Sequence, residues 1–158
     1  MKDAESTTDH SYMTALFCLL FAPDNLDKDK LLKMTIIHDL GEVETKDMIT
    51  EEGAKVIPDL NKKKVEAEKA KVKEIFSQIE NGDEFFALWE EAEAQKTPEA
   101  KFLKQLDKFE PALQSYLYWL KNGKPKDMQY LEWIENASAY AKDEMFKELL
   151  DKLRKLLP

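Results

Sequence analysis

The sequence predicts an all-α protein, and three observations lead to that prediction. Apolar residues recur at helical spacing along nearly the whole chain, no strand-like alternation persists, and only four glycines and six prolines occur among 158 residues. The hydrophobic fraction of 43% is high enough to bury a core. We expect one domain over residues 1–158, since this length suits a single core better than two.

Capping residues and helix breakers mark the expected boundaries. Ser6 and Asp9 have the spacing of a capping box, which predicts a helix from there to Phe21. An apolar pattern predicts a second helix over residues 28–38, and a polar segment follows it. The remaining predicted helices cover residues 61–80, 84–94, 97–120, 127–140 and 142–157.

The helix that begins at Thr97 has the strongest start signal and an unusual interior. Thr97, Pro98 and Glu99 supply a cap, a first-turn proline and an acid near the positive end of the helix dipole. Pro111 lies inside the apolar pattern, where it lacks the amide that would bond the carbonyl of Asp107. We expect the helix to bend or restart just after Asp107.

Charge and the lengths of the apolar runs exclude several classes of function. A net charge of -8 disfavours nucleic acid as a partner, because phosphate binding needs clustered lysines and arginines. The longest apolar run, residues 15–22, is too short to span a membrane, and the first residues lack the apolar core of a signal peptide. The single cysteine, Cys18, is expected to be a small buried residue in a protein of the reducing cytoplasm.

Ionisable groups stand at the edges of apolar helical runs. The only two histidines, His10 and His38, each have an aspartate beside them. On a helix, His38 and Glu42 share a face, and nitrogen and carboxylate donors on one face suit a divalent cation. Taken alone, His38 fits a core or capping histidine better than a ligand, and Asp107 fits a surface acid.

Four blocks of the sequence resemble the HD-domain superfamily, and within it the HD-domain 5'-deoxynucleotidases. Residues 5–12 resemble the family's ES-x-x-DH-x-Y stretch. Residues 38–47 resemble its HD-x-x-E motif and the aspartate that follows it. Residues 88–91 and 97–107 are similar to its later helices, and the resemblance extends to about residue 119.

This resemblance implies an HD-domain helical bundle with a buried metal site. The ligands of the first metal ion would be His10, His38, Asp39 and Asp107. Glu42 and Asp47 would be the catalytic residues, either contacting substrate and the attacking water or holding a second ion. The cofactor would be a divalent cation, one of Co, Mn, Zn, Mg, Ni and Fe.

The implied function is hydrolysis of (deoxy)nucleoside 5'-monophosphates to nucleoside and phosphate by a cytoplasmic homodimer. Glu42, one turn beyond His38, is the candidate for proton transfer, and the aromatic-rich residues 116–119 are the candidate dimer surface. Since four residues precede Glu5, we expect an N-terminus shorter than that of family members, which carry a nucleotide-holding helix there. Two alternatives stay open: an HD phosphohydrolase acting on another phosphomonoester, and a catalytically weak metal-binding helical scaffold.

Overall fold

Helices make up most of the described part of the chain. The computed structural model describes residues 5–41, 58–123 and 129–156. The helices are α1 (Thr7–Phe21), α2 (Lys28–Ile37), α3 (Pro58–Phe76), α4 (Gly82–Ala94), α5 (Pro98–Asn122), α6 (Gln129–Tyr140) and α7 (Glu144–Leu156). No strand occurs in the described ranges, and the all-α prediction is confirmed.

The predicted helix starts form through the expected side chains. At the start of α1, the amide of Asp9 donates to Oγ of Ser6 over 3.2 Å, and the amide of Ser6 donates to Oδ2 of Asp9 over 2.8 Å. At the start of α5, Oγ1 of Thr97 accepts from the amide of Ala100 over 3.4 Å. These caps satisfy amides that the first turn of a helix leaves without carbonyl partners.

Of the two outcomes expected after Asp107, a bend or a restart of the helix, the restart is wrong. Helix α5 runs without a break from Pro98 to Asn122, with Pro111 inside it. Phe109 and Ala112, on either side of the proline, are both buried in the core. Tertiary packing therefore holds together a helix that Pro111 would weaken in isolation.

Helix α5 is the element around which the others pack. It contacts α1, α2, α4, α6 and α7. The side chain of Leu106 is fully buried in the main apolar cluster. From α7, the ring of Phe146 packs against Phe102 and Phe109, with ring centroids 5.4 and 5.7 Å apart. The helices that carry the predicted ligands are thereby fixed to one scaffold.

A smaller apolar cluster fixes the end of α2 against α3 and α4. Its buried members are Ile37, Val72, Phe76 and Trp89. The indole Nε1 of Trp89 donates to the carbonyl of His38 over 3.0 Å. Just beyond, Gly41 passes close to α3, where a Cβ would lie 2.8 Å from Cβ of Glu68. A larger residue at Gly41 would force one of these segments to shift.

Two predictions about apolar stretches can be compared with the structure. Cys18 is a free thiol buried in the main apolar cluster, as expected. Among the helices in the described ranges, none combines the length and hydropathy needed to cross a membrane.

Candidate metal centre

Segments of three helices bring the four predicted ligands together, and the ligand atoms of His10, His38 and Asp107 all lie within 4.8 Å of one another. His10 lies in α1, His38 and Asp39 directly follow α2, and Asp107 lies in α5. Nε2 of His10 is 3.4 Å from Oδ1 of Asp107 and 3.6 Å from Oδ2 of Asp39. Nε2 of His38 is 3.3 Å from Oδ1 of Asp39 and 3.8 Å from Oδ1 of Asp107. Two ligands with bonds of about 2.1 Å to one ion would be separated by roughly 3.0–3.5 Å.

The two residues predicted to be catalytic, Glu42 and Asp47, lie outside the described residues, which stop at Gly41 and resume at residue 58. Their positions relative to the four converging side chains stay a prediction. The roles assigned to all six residues are likewise predictions.

Nδ1 of each histidine ring already has a hydrogen-bond partner. Nδ1 of His38 is 2.7 Å from the carbonyl oxygen of Thr35. A carbonyl can only accept, so this Nδ1 carries the hydrogen and Nε2 faces the carboxylates. Nδ1 of His10 is 2.6 Å from Oε2 of Glu110. Metal-binding histidines typically donate their second N–H to a carbonyl or a carboxylate in this way.

Nε2 of His38 provides a test of whether these side chains suit a cation. Nε2 of His38 is buried, and its contacts with Asp39 and Asp107, at 3.3 and 3.8 Å, do not have the geometry of hydrogen bonds. An unsatisfied buried polar atom costs about 1–3 kcal/mol, and a bound cation would offset that cost. Imidazole nitrogens combined with carboxylate oxygens suit borderline divalent metals. The donor set therefore fits the divalent ion that the sequence resemblance implies.

Asp107 is held by lysines on the side that faces away from the histidines. Its Oδ2 accepts from Nζ of Lys104 over 2.9 Å and lies 3.2 Å from Nζ of Lys108. Burial alone would raise the pKa of Asp107, but the contacts with His10, His38 and the two lysines hold it well below its ordinary value. The buried side chain is therefore an ionised carboxylate whose Oδ1 faces both imidazoles.

The carboxylates also control the charge of the histidines in the metal-free protein. Burial opposes the charged form of His10, yet Asp107, Glu110 and Asp39 outweigh it and raise the pKa of His10 to about 10. Burial likewise opposes a charged His38, and the carboxylates of Asp107 and Asp39 raise its pKa. In the metal-free protein, a proton thus occupies the nitrogen of His10 that a cation would use.

Sequence reasoning missed three side chains around this centre. Glu110 and Lys104 each lie three residues from Asp107, a spacing that places all three on one face of α5. That spacing could have indicated that Glu110 and Lys104 lie beside Asp107. Lys108 follows Asp107 directly and gave no signal. Thr35 contributes only its backbone carbonyl, a role that its residue type does not indicate.

Comparisons with known proteins agree with this geometry. The family described as HD domain matches residues 1–150. The chain belongs to the HD-domain family.

Among curated relatives of this HD-domain protein, the 5'-deoxynucleotidase HDDC2 of Danio rerio is 32% identical over 134 residues, which are 82% of this chain and 63% of the relative. The 5'-deoxynucleotidase HDDC2 of Dictyostelium discoideum is 39% identical over 129 residues, which are 72% of this chain and 63% of that protein. The HD-domain chain therefore spans less than two thirds of the length of these relatives.

Solved structures show the same HD-domain fold. A conserved hypothetical protein from Pyrococcus furiosus matches with a TM-score of 0.69 and 30% identity, over 98% of this chain and 86% of that chain. A predicted metal-dependent phosphohydrolase from Magnetospirillum magnetotacticum matches with a TM-score of 0.67 and 22% identity, over 96% and 76% of the two chains. At that identity the second match supports the fold alone.

In the metal-free protein, we expect the free energy of unfolding to fall as the pH rises from about 6.5 towards 10. The folded pKa of His10, about 10, exceeds its ordinary value of 6.5. The contribution of His10 to the free energy of unfolding is therefore complete below pH 6.5 and is lost as the pH rises through about 10. One such group gives a slope of up to about 1.4 kcal/mol per pH unit. Urea unfolding in chelating buffer at several pH values measures this slope.

The matched variant for this experiment is His10→Gln. We expect a shallower slope, with the remainder contributed by His38, whose pKa is raised in the same direction. Equal slopes in the wild type and in His10→Gln would contradict the assignment of the effect to His10.

Proposed function

We propose that this chain is a metal-dependent phosphohydrolase that converts (deoxy)nucleoside 5'-monophosphates to nucleoside and phosphate. The observation that carries the proposal is the approach of two imidazole nitrogens to two carboxylates in a member of the HD-domain family. The four nitrogen–oxygen distances are 3.3–3.8 Å. The substrate class is proposed from the relatives, which are named 5'-deoxynucleotidases.

The proposed ligands are His10 and His38 through Nε2, together with oxygens of Asp39 and Asp107. When bound, a divalent cation makes water more acidic and offsets negative charge on a phosphoryl group. The hydrogen bond from Nδ1 to the carbonyl of Thr35 holds the imidazole of His38 in the orientation that presents Nε2. Lys104 engages only Oδ2 of Asp107, so Oδ1 stays directed at the histidines.

Glu42 is the proposed proton acceptor for the attacking water. Its sequence position supports this role, because it stands four residues, or about one helical turn, after His38. Asp47 is proposed to contact the substrate or, with Glu42, to hold a second ion. Both proposals rest on the sequence motif, since neither residue belongs to the described ranges.

Glu42→Ala and Asp107→Ala should impair hydrolysis in different ways. A general base is typically worth about 10²- to 10⁴-fold in rate, so Glu42→Ala should lower turnover by that order and leave the first metal ion bound. Asp107→Ala removes a ligand and leaves two buried imidazoles without their shared carboxylate, so metal content and turnover should fall together. Metal analysis of the purified variants and phosphate release from a panel of nucleoside monophosphates measure both effects.

Glu99→Ala is the matched control, because it changes another acid of α5 that lies near Lys30 and away from the histidines. It should keep both metal and turnover. If the metal-loaded wild type released no phosphate from any monophosphate, the nucleotidase proposal would fail and a metal-binding scaffold would replace it.

We further propose that the chain forms a homodimer through the C-terminal part of α5. Leu117 and Leu120 are exposed there, at 42% and 57%, beside the stacked rings of Tyr116 and Trp119, whose centroids are 5.6 Å apart. Exposed apolar groups that cluster on one helix favour association.

Light scattering at micromolar concentration should give twice the chain mass of 18.4 kDa. The double change Leu117→Glu with Leu120→Glu should give the monomer mass, because two carboxylates would have to be buried in the interface. Leu156→Glu, at an exposed leucine of α7, should leave the dimer intact. A monomer mass for the wild type would refute the dimer.

A further inference from the structure

A buried carboxylate stands on the side of His10 that faces away from the candidate metal centre. Glu110 is 1% exposed, although glutamate is rarely buried to this extent without a partner. Its Oε2 lies 2.6 Å from Nδ1 of His10, the shortest contact that this imidazole makes with a carboxylate. Such a distance is typical of a strong, charge-assisted hydrogen bond.

This contact determines which nitrogen of His10 is available to a cation. With the Glu110 carboxylate as the acceptor, Nδ1 of His10 carries the hydrogen of this bond. Nε2 is then the nitrogen at which a cation can replace the proton, and it is the one that faces Asp107 and Asp39 at 3.4 and 3.6 Å. A ring flipped about its Cβ–Cγ bond would place Cε1, which cannot bind a cation, where Nε2 now lies.

Helix α5 supplies partners to both edges of the same ring. Asp107 and Glu110 are three residues apart and lie on one face of the helix. Asp107 contacts Nε2 and Glu110 contacts Nδ1, so the imidazole from α1 lies between two carboxylates of α5. Glu5 also places a carboxylate oxygen within 4.8 Å of the ligand atoms of His10 and Glu110.

Glu110 could serve stability alone or could orient His10, and the two roles differ in their effect on metal affinity. A buried ion pair adds little net stability compared with a well-packed apolar pair, so stability alone gives a weak reason for this arrangement. A role in orienting His10 would instead affect metal affinity, because partners of ligating histidines raise ligand basicity and fix the ring.

We propose that Glu110 is a positioning residue, which binds Nδ1–H of His10 and thereby presents Nε2 of that ring to the divalent cation. The proposal rests on the proposed metal site and adds to it a residue from the same helix that carries Asp107. Glu110 does not touch the ion or the substrate in this role. It acts through His10.

The test is calorimetric titration of metal-free protein with Co²⁺ alone, which requires no substrate. Glu110→Met removes the acceptor and keeps a buried side chain of similar length, so Co²⁺ affinity should fall about 10- to 100-fold. Glu110→Gln keeps an acceptor oxygen without the charge, so its loss should be smaller, about 3- to 10-fold. Full wild-type affinity in Glu110→Met would overturn the proposal.

Gln105→Met is the matched control for the loss of a buried polar group in α5. Gln105 is 7% exposed and accepts the amides of Lys142 and Asp143 over 2.7 and 2.8 Å, at the start of α7. Its loss should lower thermal stability and leave Co²⁺ affinity unchanged. If Glu110→Met does not fold, Glu110→Gln decides, and wild-type affinity in that variant would overturn the proposal.

Two further readouts separate positioning from general destabilisation. In zinc-loaded protein labelled with ¹⁵N-histidine, Nδ1 of His10 should carry a hydrogen-bonded proton in the wild type, and that signal should shift or vanish in Glu110→Met. An unchanged signal would contradict the proposal. His10→Ala tests the metal site itself: if it bound Co²⁺ as tightly as the wild type, the proposed site would fail independently of Glu110.

Discussion

The structure depends on the burial of His10, His38 and Asp107 at one point between α1, α2 and α5. Charged groups removed from water are costly unless they are paired. Here one oxygen of Asp107 faces both imidazoles, while Lys104 and Lys108 hold the other oxygen. In the metal-free protein, the proton on His10 compensates part of the carboxylate charge, and the carboxylates raise the pKa of both rings.

The polar centre also depends on the position of α5 among the other helices. The apolar packing of α5 places Asp107 and Glu110 on the face that meets α1, and α1 supplies His10 to both. The smaller cluster around Trp89 fixes the end of α2, where the indole binds the carbonyl of His38. Apolar packing thus supplies the stability, and the polar centre determines how precisely three helix segments meet. A cation at the proposed site would compete with a proton for Nε2 of each histidine, so metal affinity should depend on pH.

Much of the fold could be predicted because the signals are local. Ser6 with Asp9 and Thr97 with Ala100 form the expected caps, since capping depends on residues three apart in sequence. Continuity through Pro111 was missed because it depends on tertiary packing of α5. The convergence of the histidines and aspartates followed from scarce residues matched to a family motif. The contact between His10 and Glu110 could not be predicted in this way. The two residues are 100 positions apart in sequence and become neighbours only when α1 packs on α5.

The most direct test of the central claim is anomalous diffraction from crystals of zinc-loaded protein, recorded on both sides of the zinc absorption edge. We expect a peak within roughly 2.0–2.3 Å of Nε2 of His10, Nε2 of His38, and an oxygen of Asp107 and of Asp39. A fully occupied zinc peak elsewhere, with these four side chains still in contact only with one another, would contradict it.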